Sequence, residues 1–334
     1  MDTTWVRAVP KAELHAHLEG TIPPNRLRAL AKKYNEAIPE DLLGPDNTYV
    51  WKDFAEFLTC YDLAAGFVRS PQDYHRITYD YLAESAAEGC LYAELIISAD
   101  HAKAQGIDYW DMIQALEQAV DDARQAHGIE ARFSFSMVRH FGVENGIQTA
   151  KLLHKHPHKY VTGFQMAGAE DAGDVADWAR GYEIAADAGV GLHVHSGEWL
   201  GPESMAYTID KLTTPTWGIS RIGHGVRAAE DPELVARIVD MGLVLEVCPL
   251  SNLALKVFDS PAAHSFDALR QAGVKVTLNS DDPPHFASTI LAEYEFAARQ
   301  YGDDAAALTA LTRTALEAAF VDEPTRAALL AKLA

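Results

Sequence analysis

Eight short runs of β-branched and apolar residues alternate along this chain with longer stretches in which Ala, Leu, Glu, Arg and Gln recur at helical spacing. The runs read KAELHAH, GCLYAELIIS, ARFSFSMVRH, KYVTGFQMAG, GVGLHVHSGE, SRIGHGV, GLVLEVCPLSN and GVKVTLNSDD. A strand followed by helical material, eight times over, is what a closed parallel sheet with crossover helices requires. The pattern therefore predicts an α/β protein of the (β/α)8 barrel (TIM barrel) class. Its 334 residues suit one such domain over residues 1–334. No low-complexity segment, long linker or short repeat argues for a split.

The alternation has one irregularity. About residues 21 to 88 separate the first two runs, enough for several extra helices, and such an insertion over the strand ends could form a lid. Within it Phe54, Phe57, Leu58 and Tyr61 fall at i, i+3, i+4 and i+7, one face of a helix. A stripe of this kind is usually core; the alternative is a gate over an apolar substrate.

Charge narrows the choice of partners. With 28 basic against 48 acidic residues, a net of −20, and no basic cluster, the chain is expected to bind neither nucleic acid nor an anionic membrane. Cys60, Cys90 and Cys248 lack CxxC spacing, so neither a disulfide framework nor a cysteine metal site is expected. No signal-like start or long apolar run is evident, which points to the cytoplasm. The pattern does not reveal oligomeric state.

In a (β/α)8 barrel the C-terminal strand ends form the active face, and here they are crowded with polar residues. His15 and His17 end the first run, Gly168 follows the fourth, His195 and Glu198 end the fifth, His224 the sixth, and Asp281 and Asp282 the eighth. His15 and His17 lie two apart on a strand, so both rings face one side and can reach one ion, although paired strand histidines can equally sit satisfied in a core. His195 is followed three residues on by a carboxylate able to move protons. His193 shares its face but sits deeper, where a hydrogen-bonded core role is expected. Asp281 and Asp282 point in different directions, so one can ligate and the other bind substrate; SDDPP could also be a plain helix cap. Three imidazoles and a carboxylate form a mixed N/O set suited to one Zn²⁺ per chain with a position left for water. YVTGFQMAG offers no bridging lysine for a second ion.

Together KAELHAHLEG, GFQMAGAE, HSGE, RIGHG and LNSDDP, in order along almost the whole chain, resemble the motifs of the adenosine deaminase family. The resemblance implies zinc held by His15, His17, His195 and Asp281, with Glu198 as proton shuttle to the purine N1. It further implies that His224 orients the attacking water, Asp282 accepts a hydrogen bond around N7 and the Gly168 backbone N–H donates to N3. The paired HxE and PCxxC signature of cytidine-type deaminases is missing, since the chain has no PCxxC.

The reaction expected is thus hydrolytic deamination of a small purine, as in purine salvage. Glu19 stands where the adenosine-selective pattern often has Asp, near the ribose, and HxHLEGT also resembles the adenine deaminase relatives. Gly168 and Gly223 match the nucleoside branch, where a small residue lets backbone and sugar approach closely. On that balance adenosine and 2′-deoxyadenosine are expected ahead of adenine or a modified aminopurine nucleoside. Phe57, Leu58 and Tyr61 are candidate base contacts. Two other classes compete: a barrel hydrolase that opens a cyclic amide, which needs no acid beside a ring nitrogen, and a barrel turned binding protein, which should have lost one of these groups.

Overall fold

A computed structural model describes residues 2–333. Its strands are β1 (Lys11–His17), β2 (Cys90–Ile97), β3 (Glu130–Val138), β4 (Val161–Ala167), β5 (Gly191–Ser196), β6 (Arg221–His224), β7 (Val244–Val247) and β8 (Lys275–Leu278). Seven fall within one of the eight runs, and β3 begins one residue before its run, at Glu130. They pair in parallel in sequence order, β1 through β8, with helices in the connections, so the molecule is a (β/α)8 barrel.

The seam between β8 and β1 is closed beyond the end of β8. The Asp281 N–H donates to the His15 carbonyl at 3.1 Å and the His17 N–H donates to the Asp281 carbonyl at 2.9 Å, a parallel bridge opposite Ala16. Asp281 reaches this position with φ +62°, a left-handed conformation that non-glycine residues adopt only where the surroundings impose it.

The barrel interior is not wholly apolar. Arg221 on β6 is buried between two carboxylates, Glu94 on β2, which accepts from its Nη2, and Glu246 on β7, whose Oε1 lies 2.7 Å from its Nε as an ion contact outside hydrogen-bond alignment. Phe320 covers the guanidinium, 3.6 Å from the ring centroid. Glu246 then links upward to His15 and His193. A chain of buried polar contacts thus runs from Arg221 and Glu94 through Glu246 to His15 and His193.

Between β1 and β2 the insertion folds into α1 (Pro24–Tyr34), α2 (Phe54–Ala65) and α3 (Pro71–Ala87). The Asp53 side chain caps α2 by accepting from Glu56 N–H, and Ser70 caps α3 by accepting from Asp73 N–H, each occupying a backbone donor left free by helix geometry. α3 packs outside against the helix Tyr109–His127, whereas α2 lies over the strand ends beside the turn Glu19–Thr21. Among the described residues no helix is long and apolar enough to cross a membrane.

Candidate active site

His15 and His17 leave β1 on the same side, and His195 enters from β5. The His17 and His195 Nε2 atoms lie 3.1 Å apart. Asp281 Oδ1 lies 3.5 Å from His15 Nε2 and 3.4 Å from His17 Nε2. All four donor atoms fall within 4.8 Å of one another. Zinc bonds of about 2.0–2.1 Å put tetrahedral ligands about 3.3 Å apart, so the spacing suits one ion of that size.

The neighbours fix which nitrogen of each ring is free. The Glu246 carboxylate accepts from His15 Nδ1 at 2.8 Å and the Gln165 Oε1 accepts from His195 Nδ1 at 2.7 Å. Both rings therefore turn a bare Nε2 inward, and His15 Nε2 is buried without a protein partner. Ser251 donates to Asp281 Oδ2 at 2.6 Å, leaving Oδ1 for the cluster. Orphaned donor atoms converging with their rear atoms anchored are the arrangement a metal cation completes. A second buried grouping, His15, His224, Cys248 and Asp281, shares two of these residues. Burial pushes the Cys248 thiol well above its ordinary range, against its serving as a thiolate ligand.

His193 lies outside this cluster. It is fully buried, held between Ser134 Oγ at 2.6 Å and Glu246 Oε2 at 3.1 Å.

Beside the cluster stand three further groups. Glu198 is held on the turn after β5 by Glu170, whose carboxylate accepts from the N–H groups of Gly197, Trp199 and Leu200 at 2.5, 2.8 and 3.0 Å. Burial, reinforced by the charge of Asp281, raises the Glu198 carboxyl well above the usual carboxylate range. His224 faces it, Nε2 to Oε2 3.7 Å, with φ +60°, and burial lowers this imidazole to about 3. Asp282 is buried too, its carboxyl raised well above the ordinary value by burial and then by the Asp281 charge, and its Oδ1 has no partner. Gly20 makes room for it: a Cβ there would sit 1.7 Å from Asp282 Oδ1.

These groups line one cavity with Glu19, Gly168 and the α2 residues Phe54, Phe57, Leu58 and Tyr61. The α2 stripe does not join the barrel core. Phe57 packs with Leu255 and Phe286 in a separate apolar cluster over the strand ends, flanked by Phe54, Leu58, Tyr61 and Trp199. The helix is tied down by Asp62, which bridges His101 at 2.9 Å and His140 at 3.2 Å. About 60 Å³ is open to the centres of waters in this cavity, room for roughly four to six waters.

Glu19 is fully buried and already engaged. Its Oε1 accepts from Tyr74 OH and Ser98 N–H, both at 3.2 Å, and its Oε2 from Tyr61 OH at 3.3 Å. The two glycines credited with admitting a sugar have other reasons to be glycine. A Cβ on Gly223 would lie 2.7 Å from His15 Cε1, so its absence accommodates the His15 ring inside the barrel. Gly168 holds φ +91° and a Cβ on it would come within 2.9 Å of His140 Nδ1.

Gln165, Glu170, Glu246 and Gly20 did not stand out in the sequence, although the first two lie in GFQMAGAE and the third in GLVLEVCPLSN. A charged Glu at an inward position of an otherwise apolar strand was the available signal for Glu246.

The family profile described as adenosine deaminase matches residues 10–334. An adenine deaminase from Rhizobium leguminosarum bv. trifolii is 48% identical over 323 residues, covering 97% of this chain and 98% of the relative. An adenine deaminase from Chelativorans sp. is 47% identical, covering 97% of each chain. The crystal structure of an adenine deaminase from Arthrobacter aurescens superposes with a TM-score of 0.89 at 26% identity, covering 97% of this chain and 98% of that one. These relatives overturn the expectation of adenosine and 2′-deoxyadenosine as substrates, which leaned on Gly168 and Gly223, positions occupied by glycine for the steric reasons just given. The fold, the profile over nearly the full length and the close relatives agree that this chain belongs to the adenosine deaminase family, hydrolases that remove an amino group from a cyclic amidine carbon.

Proposed function

We propose that this protein converts adenine and water to hypoxanthine and ammonia, using one zinc ion held by His15, His17, His195 and Asp281. Full-length similarity to adenine deaminases carries the reading, and the site agrees with it. Three protein donors already engage the Glu19 carboxylate, leaving about one of its four acceptor positions.

A divalent ion at the His/Asp cluster supplies, when bound, a water acidic enough to act as a nucleophile near neutral pH. The remaining work falls to side chains. Glu198, kept protonated by burial, gives its proton to N1 of the purine as the water oxygen adds to the amino-bearing carbon. The resulting carboxylate then takes up the two protons of the added oxygen in turn, passing one to the departing amine and keeping the other, so that the ring carbon ends as a carbonyl, ammonia leaves and Glu198 is protonated again. Asp282, also protonated, is suited to donating to a lone pair at N7, a role opposite in sense to the acceptor first expected. The Gly168 N–H is assigned to N3, and Phe57, Leu58 and Tyr61 exclude water above the ring.

The test is kcat/KM for adenine and adenosine on one metal-loaded preparation, followed by ammonia release. Adenine is expected to exceed adenosine by at least about 100-fold, the range within which an unaccommodated polar group discriminates. Equal values, or adenosine ahead, would refute the substrate assignment.

A further inference from the structure

A line of two buried polar side chains leads from a backbone amide to His224. The Phe266 N–H donates to His264 Nδ1 at 3.1 Å. His264 Nε2 contacts Asn252 Oδ1 at 3.3 Å, and Asn252 Nδ2 contacts His224 Nδ1 at 3.2 Å. His224 Nε2 then faces Glu198. Asn252 is fully buried on the helix Pro249–Ala254 after β7, and His264 lies just before the helix Phe266–Gln271. Neither lines the cavity with the groups assigned above.

The direction of every bond follows from the first. A backbone N–H can only donate, so His264 Nδ1 is an acceptor and, in a neutral ring, Nε2 carries the hydrogen. Burial keeps His264 neutral, lowering it to about 4. Its Nε2–H must then meet the Asn252 oxygen, which turns the Asn252 amide N–H₂ to His224. His224 Nδ1 is thereby made an acceptor.

We propose that Asn252 and His264 are positioning residues that hold His224 as its Nε2–H tautomer, so that this ring meets the reacting centre as a hydrogen-bond donor and not as a base. The unlabelled alternative, an Nδ1–H ring, would set donor against donor at Asn252 and turn a lone pair toward the added oxygen. The inference rests on the deaminase assignment of His224 for its effect on rate, but the tautomer itself can be read without turnover.

The test combines nitrogen NMR of zinc-loaded, ¹⁵N-histidine-labelled protein, with His224 identified by its loss in His224→Gln, and kinetics on adenine. The wild type is expected to show a protonated Nε2 and a bare Nδ1 at His224. Asn252→Asp still accepts from His264 but cannot donate to His224, so it should protonate Nδ1 and lower kcat about 10- to 100-fold, with KM and zinc content unchanged. His264→Gln retains an N–H donor for Asn252 and should keep kcat within about threefold of wild type, while His264→Met, similar in size without a donor, should lower it about tenfold. A bare Nε2 at His224 in the wild type would overturn the proposal, as would an Asn252→Asp protein with its zinc in place and kcat unchanged. Failure of adenine as substrate would leave the NMR result standing, so the two readings fail separately.

Discussion

Replacing Glu246 by Gln should loosen the metal although no atom of Glu246 touches it. Three groups converge on this buried carboxylate: the Arg221 guanidinium pairs with Oε1 as an ion contact, and His15 Nδ1 and His193 Nδ1 meet Oε2. Glutamine offers one oxygen and one N–H₂ group. Whichever way it turns, a donor meets either the guanidinium or the two imidazoles. Turned against the imidazoles it invites His15 to shed its Nδ1 proton and present the wrong face to the ion; turned against Arg221 it leaves half of a buried ion pair unmet. Loss of such a carboxylate behind a ligating histidine costs about 10- to 100-fold in metal affinity, or about 1.4–2.8 kcal/mol. Breaking a buried pair outright costs about 3–5 kcal/mol; because Arg221 keeps Glu94, about 2–3 kcal/mol of folding stability is the expected loss. The measurements are competition for zinc against a chelator of known affinity and urea unfolding of the metal-free protein. Ser134→Ala, which touches only the far side of His193, should leave zinc affinity unchanged and serves as the control. Unaltered zinc affinity in Glu246→Gln would show that the carboxylate does not set the His15 donor.

Other perturbations separate the remaining roles. Glu198→Gln should retain zinc and adenine binding but lower kcat at least about 100-fold, as read by turnover beside metal analysis. His17→Ala removes one of four donors and should lower zinc content and activity together, and chelation of the wild type should abolish turnover until zinc is restored. Gly20→Ala places a methyl group on Asp282 Oδ1 and should lower kcat/KM at least about tenfold by displacing that side chain. Tyr61→Phe removes one of the donors on Glu19; the freed oxygen should lower the preference for adenine over adenosine, measured as the ratio of kcat/KM values.

The barrel was legible because parallel strands buried on both faces write themselves as continuous apolar runs, while the connections keep a helical period. The strand-end groups were legible because that architecture sends His15, His17, His195, His224 and Asp281 to one face. What lay behind them was less so. Gln165 and Glu246 act through hydrogen bonds to residues 30 and 231 positions away, and nothing local marks such a partner. The substrate was misjudged at Gly168 and Gly223 because a missing side chain records only that space was needed, not what occupies it. The α2 stripe shows the same ambiguity: its period foretold a helix, but only the three-dimensional arrangement puts Phe57 and Tyr61 over the cavity.

The closure of the barrel seam by Asp281 has a consequence for synthesis. The residue that stitches the last strand to the first is also a member of the donor cluster, and its partner His15 lies near the opposite end of the chain. A growing polypeptide therefore displays His15 and His17 long before it owns the carboxylate that completes their set, and must bring together segments separated by most of its length, a slow kind of contact to form. Metal captured at the finished seam holds the two ends of the sheet together, so the zinc-loaded protein should resist unfolding at this junction more than the free chain does.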